Sequence, residues 1–303
     1  AALVALPKAS ELVASVIATN GVGLDSAVLV ATTSLVLDPT PPMGGTAVVL
    51  PPLKGQSACC SVEPVVSGTQ EEPGYWVDTT AATSLRVGWG GAVDDETGVA
   101  TVEVAVGTAP FRSDVVPFTL VTGEAAASVP VEGRGLQQGQ TYVVSVRFGN
   151  GAGAKRVLGA AGTVTVDATA PVAGSVVDTL VADDDDADVA DIDARTGSTA
   201  IAARFEAFTE DVSTITTYEW AAGTVPGGEQ LRAFEPVALG SGAWPGAVEA
   251  AGLVIAADGT SVFVSVRATN AAGICTTASS DGVVLDRSGP TPATDLALVV
   301  DLD

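Results

Sequence analysis

The 303-residue sequence contains no histidine, which removes every histidine-based triad, imidazole metal site and imidazole proton relay. Lysine is nearly absent, with Lys8, Lys54 and Lys155 alone, and 13 basic residues face 36 acidic ones for a formal net charge of −23. Gripping phosphates requires clustered cations, so this balance argues against nucleic acid as a partner. Aromatics make up only 5%, and no apolar run approaches the roughly 18 residues that span a bilayer, so no membrane span is expected in this segment. A basic leader with a cleavage site is missing and the one methionine is Met43. The expectation is an excerpt or processed piece of a longer chain. What is abundant is Ala, Val and Gly: the apolar fraction is 47%, as in interior-facing strands, and helix signals are nearly absent.

The scarcity of asparagine exposes a repeat. Asn20, Asn150 and Asn270 are the three in the chain, and each opens Asn-x-x-Gly, ending at Gly23, Gly153 and Gly273. Asn tolerates the left-handed region and Gly supplies positive φ, so the pattern closes a hairpin. The residues before each turn alternate as half-buried strands do. Tyr142, Val144, Val146 and Phe148 share one face against Val143, Ser145 and Arg147. Val262, Val264, Val266 and Ala268 oppose Phe263, Ser265 and Arg267, and Leu12, Ala14, Val16 and Ala18 oppose Val13, Ser15 and Ile17. After each turn a second strand ends at Asp38, Asp167 or Asp286, with proline following to stop the ladder.

A second block aligns without gaps. Trp89, Asp95, Val102, Glu103 and Gly107-Thr108 recur 116 residues later as Phe205, Asp211, Tyr218, Glu219 and Gly223-Thr224. The spacing predicts four pieces: residues 1–41 as the last two strands of a truncated module, 42–171 and 172–290 as complete β-sandwich modules, and 291–303 as the start of another.

The strand Trp, the Gly-Thr after the next strand, Leu136-x-x-Gly139-x-x-Tyr142 and Asn-x-x-Gly together resemble fibronectin type III and related immunoglobulin-like sandwiches. The Leu-x-x-Gly-x-x-Tyr segment is similar to their tyrosine corner, although Val262 stands in place of the tyrosine in the later module and Gly259 alone is kept. The run Val264 to Gly273, continuing through Ser280 to Asp286, resembles tandem modules of very large extracellular proteins, including algal ones. The resemblance implies an all-β fold of tandem Greek-key β-sandwich modules joined end to end, with an extracellular, cell-surface or flagellar-surface location.

Several residues are singled out for chemistry. Cys59, Cys60 and Cys275 are disulfide or cross-link candidates, or else buried or free thiols; adjacent cysteines rarely bridge each other, and an odd thiol in a secreted protein points to intermolecular pairing. Asp183, Asp184, Asp185, Asp186, Asp188, Asp191 and Asp193 offer enough oxygens for calcium, but without the spacing of a known ligand loop a solvated acidic loop is favoured. No cofactor is otherwise expected. Pro41, Pro42, Pro51, Pro52, Pro290 and Pro292 lie in short extended stretches expected at the surface. The algal resemblance makes them candidates for hydroxylation and O-linked glycans. No Asn is followed two residues later by Ser or Thr, which excludes N-glycosylation of this segment.

Val13, Ile17 and Phe263 fall on strand faces expected to meet solvent, and repeated apolar residues there point to partner chains. No constellation of residues supports catalysis. The expected role is a structural rod whose partners are other subunits of a filament or extracellular matrix. The alternative is an adhesive or ligand-binding array, calcium-dependent or glycan-binding.

Overall fold

A computed structural model describes residues 7, 10–51, 66–68, 73–78, 84–123, 125–180, 191–196, 200–237, 246–254 and 257–290. Among these residues there is no helix, and hence none long and apolar enough to cross a membrane. The chain divides into two units between Thr169 and Ala170.

The first unit begins with four short strands, β1 (Glu11–Leu12), β2 (Ser15–Val16), β3 (Leu29–Val30) and β4 (Leu35–Val36). They pair antiparallel as β1 with β4 and β2 with β3, so the Asn20 turn does close a hairpin. The alternation expected here has no consequence for burial. Leu12 and Val16, on the predicted core face, are 39% and 63% exposed, and Val13 and Ile17, on the other face, are both 51% exposed. Two strands bury a face only against a second layer, and none covers either side of this ribbon among the described residues.

The rest of the first unit comprises β5 (Met43–Leu50), β6 (Val66–Gly68), β7 (Pro73–Val77), β8 (Ser84–Val93), β9 (Val99–Gly107), β10 (Val116–Leu120), β11 (Ala126–Pro130), β12 (Thr141–Asn150), β13 (Lys155–Gly159) and β14 (Thr163–Val166). One sheet runs β11-β8-β5; the other runs β10-β9-β12-β14-β7-β6, with β13 also on β12. The chain changes sheet between β8 and β9, between β10 and β11, and again between β11 and β12, which makes the connections Greek-key. Alternation does fix the faces here. Val144, Val146 and Phe148 of β12 are at most 2% exposed and meet Val87 and Trp89 of β8 in one core cluster. The opposing alternates Val143 and Arg147 are half-buried. At about 25 cal/mol per Å² of apolar area removed from water, this valine-rich layer is the main source of stability.

The second unit repeats the plan with β15 (Val176–Thr179), β16 (Ala194–Thr196), β17 (Ile201–Phe205), β18 (Ile215–Gly223), β19 (Arg232–Pro236), β20 (Gly246–Ala250), β21 (Ser261–Asn270), β22 (Cys275–Ser279) and β23 (Val283–Asp286). Its sheets run β15-β17-β20 and β16-β23-β21-β18-β19, with β22 on β21. In both units the last strand pairs parallel with a strand near the start, β14 with β7 and β23 with β16. Phe205 takes the place of Trp89 in the core and is 1% exposed. The architecture is thus all-β, with β-sandwich modules in tandem.

Candidate functional site: asparagine turns and linker carboxylates

The recurring residues converge on the hairpin turns and on the strand-ending aspartates. Each Asn folds its amide oxygen back over its own turn. Asn20 Oδ1 accepts the N–H groups of Val22 and Leu24 at 3.1 and 3.0 Å. Asn150 Oδ1 accepts those of Ala152 and Ala154 at 3.1 and 2.8 Å, and Asn270 Oδ1 accepts that of Ile274 at 2.9 Å. The closing glycines hold φ of 84, 91 and 83°, a conformation that costs other residues a steric clash.

The aspartates that end the second strands share a geometry. Asp38 Oδ1 accepts the N–H and hydroxyl of Thr40 at 3.1 and 2.7 Å. Asp167 Oδ1 does the same with Thr169 at 3.1 and 2.8 Å, and Asp286 Oδ1 with Ser288 at 2.9 and 2.8 Å. The repeating unit is therefore Asp-x-Ser/Thr, a local turn that caps the strand. Reading the aspartates only as strand ends before a proline misses Thr40, Thr169 and Ser288, although the pattern stands at all three places in the sequence.

In the first unit this linker is gripped by the following sandwich. Asp38 is 4% exposed, and its second oxygen, Oδ2, accepts the Asn150 amide at 2.8 Å and the Thr97 hydroxyl at 2.7 Å. The same amide nitrogen reaches the Thr40 carbonyl at 2.7 Å. Asp94 shapes the loop beneath, its Oδ1 accepting the N–H groups of Thr97 and Gly98 at 2.9 and 3.1 Å. The Thr97 hydroxyl first, and then the donors of Thr40, hold the Asp38 carboxyl below the usual carboxylate range. Carboxylate oxygens of Asp38, Asp94 and Glu96 lie within 4.8 Å of one another, and neutral donors already occupy both Asp38 oxygens. In the second unit Asn270 Nδ2 donates to Glu210 Oε2 at 3.0 Å.

The tyrosine-corner geometry is present: Tyr142 Oη accepts the Gln137 N–H at 2.8 Å. No protein-family model and no curated protein matches the chain. Among solved structures it is similar to the fibronectin(III)-like modules of Clostridium thermocellum CbhA, with 13% identity over 74% of this chain and 95% of that one and a TM-score of 0.39. It is similar also to the FN1–FN3 domains of chicken CNTN1, with 18% identity over 91% of this chain and 79% of that one and a TM-score of 0.37.

The other singled-out residues scatter. Cys275 is half-buried and disulfide-bonded, so it is not a free thiol; Cys59 and Cys60 lie outside the described residues. Pro41, Pro51 and Pro290 are exposed. Pro42 is buried where the linker enters β5, which overturns its place among surface glycan candidates; Pro52 and Pro292 lie outside the described residues. Asp183, Asp184, Asp185, Asp186 and Asp188 lie outside them too, whereas Asp191 and Asp193 are exposed. Phe263 lies on the same face of β21 as Arg267. It is half-buried, its ring so close to Gly282 that a Cβ there would meet it at 2.6 Å. Ser145 and Ser265 are fully buried because the loop after the paired strand, β9 or β18, folds over them. Their hydroxyls accept the N–H groups of Phe111 and Gly227 at 3.0 and 2.9 Å.

Proposed function

We propose that the chain is a segment of a long extracellular rod of tandem β-sandwich modules, a non-enzymatic backbone on which other subunits of a filament assemble. The Asp38 node carries this reading. A rod must hold its linkers stiffly, and Asp38 fastens the linker after β4 to two loops of the next sandwich through Thr97 and Asn150. Recurrence of Asp-x-Ser/Thr at Asp167 and Asp286 supports the same join along an array, with modules at 42–171 and 172–290 and partial ones at 1–41 and 291–303. A disulfide at Cys275 fits an oxidising compartment. A net charge of −23 keeps such a rod soluble and self-repelling until a partner or cation screens it.

The resemblance to giant algal extracellular proteins supports the finer reading, the axial backbone of a flagellar hair, or mastigoneme. Pro41, Pro51 and Pro290 are then the glycan-bearing prolines, and the exposed Val13 and Ile17 face partner subunits. Cryo-electron microscopy of the native assembly, with mass spectrometry of its prolines, tests it. A continuous central strand of modules sheathed by another protein is expected. A freely soluble, unmodified monomer overturns it in favour of a ligand-binding array. That second reading draws on an open cleft of about 510 Å³ lined by Val116, Leu120, Val129 and Arg134.

A further inference from the structure

Asp178 occupies a core position. It lies opposite Ala203 in the ladder of β15 and β17, as Val49 lies opposite Val87 in the ladder of β5 and β8. Ala203 and Val87 are 116 residues apart, the spacing of the block that contains Trp89 and Phe205. Val49 and Asp178 are each 1% exposed. The facing sheet changes in the same way: Ala160-Ala161-Gly162 is matched 120 residues later by Ser280-Asp281-Gly282. A valine and two alanines of one unit have become two aspartates and a serine in the other.

Burying a carboxylate is unfavourable unless it is fully paired. Asp178 Oδ2 accepts the Gly282 N–H at 3.1 Å, but Oδ1 is buried with no partner. Burial first, then the negative charges of Asp191 and Asp281, push the Asp178 carboxyl up to about 6, while Ser280 and Gly282 pull it down. Oxygens of Asp178, Asp191 and Asp281 all lie within 4.8 Å of one another. Calcium sits about 2.3–2.6 Å from each ligand, so any two of its oxygens are at most about 5 Å apart, and this trio fits one ion. The Asp38 group contrasts with it, since hydroxyl and amide donors fill both Asp38 oxygens there.

We propose that Asp178, Asp191 and Asp281 form a calcium site, with water completing the coordination. Asp178 lies on β15 in one sheet, while Asp191 and Asp281 precede β16 and β23 of the other. The bound ion therefore staples the two sheets of the second sandwich at one end. The site is independent of the rod reading.

The test is calorimetric titration of Ca2+ into the whole chelator-stripped chain, in about 150 mM KCl to screen diffuse surface charge. One saturable site is expected, with a melting temperature that rises with Ca2+. Asp191→Asn and Asp281→Asn alter exposed residues and should each weaken binding by roughly ten-fold or more. Asp178→Asn should abolish the site, and the exposed Asp95→Asn, with the same change of charge, should leave it intact. If Asp178→Asn does not fold, the two exposed variants decide. Absence of a saturable site overturns the proposal. So does a site indifferent to Asp281→Asn, or one weakened equally by Asp95→Asn.

Discussion

Arg147 lies directly across from Glu103 in the ladder of β9 and β12 and grips its carboxylate with two N–H groups, each at 2.8 Å. Arg267 and Glu219 repeat the pair in the second unit at 3.1 and 2.9 Å. Each guanidinium also lies over a phenylalanine, Phe118 at 4.0 Å and Phe234 at 3.9 Å. The outward face of each module thus carries the same flat cation, held on one side by a carboxylate and on the other by a ring.

Lys155 adds a second cation to Glu103 at 2.8 Å. Arg147 first and Lys155 next lower the Glu103 carboxyl to about 2. A depressed carboxyl contributes stability that is complete above its unfolded value near 4.5 and is lost as pH falls toward about 2. With solvent screening, roughly 1–2 kcal/mol is expected at neutral pH. Denaturant unfolding at pH 7 and pH 3 checks it: Glu103→Gln should be the less stable protein at pH 7, and the gap should narrow at pH 3.

Trp89 is 8% exposed and packs with Val87, Val104 and Phe148 in the first core. Trp89→Ala should cost about 3–5 kcal/mol, as loss of a large buried aromatic does. A loss below about 1 kcal/mol in chemical denaturation would contradict the assigned core.

Asn150 and Asn20 share a turn motif but differ in what surrounds them. Asn20 is exposed and serves only its own hairpin, whereas Asn150 is 4% exposed and also donates to buried Asp38. Asn150→Ala strips a donor from that carboxylate as well as a cap from the turn, and should cost about 2–4 kcal/mol. Asn20→Ala should cost about 1 kcal/mol or less, since water replaces the lost bonds. Equal losses in thermal unfolding would mean the Asp38 contact contributes nothing.

Much of this was legible from residue types alone. Asn-x-x-Gly and the alternation around Tyr142 and Val262 give the hairpins and the buried faces, because turn chemistry and period-two patterning are local. Ser145 sits on the face that alternation sends outward, and only the loop carrying Phe111 buries it. Pro42 looks like surface for the same reason, a fold-level covering that no local pattern records. Asp178 carries no sequence signal of its own, because its equivalence to Val49 rests on ladder register: the two are 129 residues apart, not 116 or 120.

Phe111 is the only non-glycine at positive φ among the described residues, at 67°, and 62% of it is exposed. Gly227 stands 116 residues later at φ 73°, and both N–H groups donate to the buried serine beneath. That shared bond fixes the left-handed backbone, so a side chain at 111 is held against its own steric preference. Elsewhere alanine is favoured over glycine by about 0.5–1 kcal/mol because it has less freedom to lose on folding. Here the order should reverse. Phe111→Ala and Phe111→Gly both remove the ring that lies over Gly159, 3.9 Å from where a Cβ there would stand, but only glycine relieves the backbone. Phe111→Gly should therefore be the more stable of the two by about 1 kcal/mol in denaturant midpoints. An alanine variant as stable as the glycine one would show that the serine bond does not hold this turn in place.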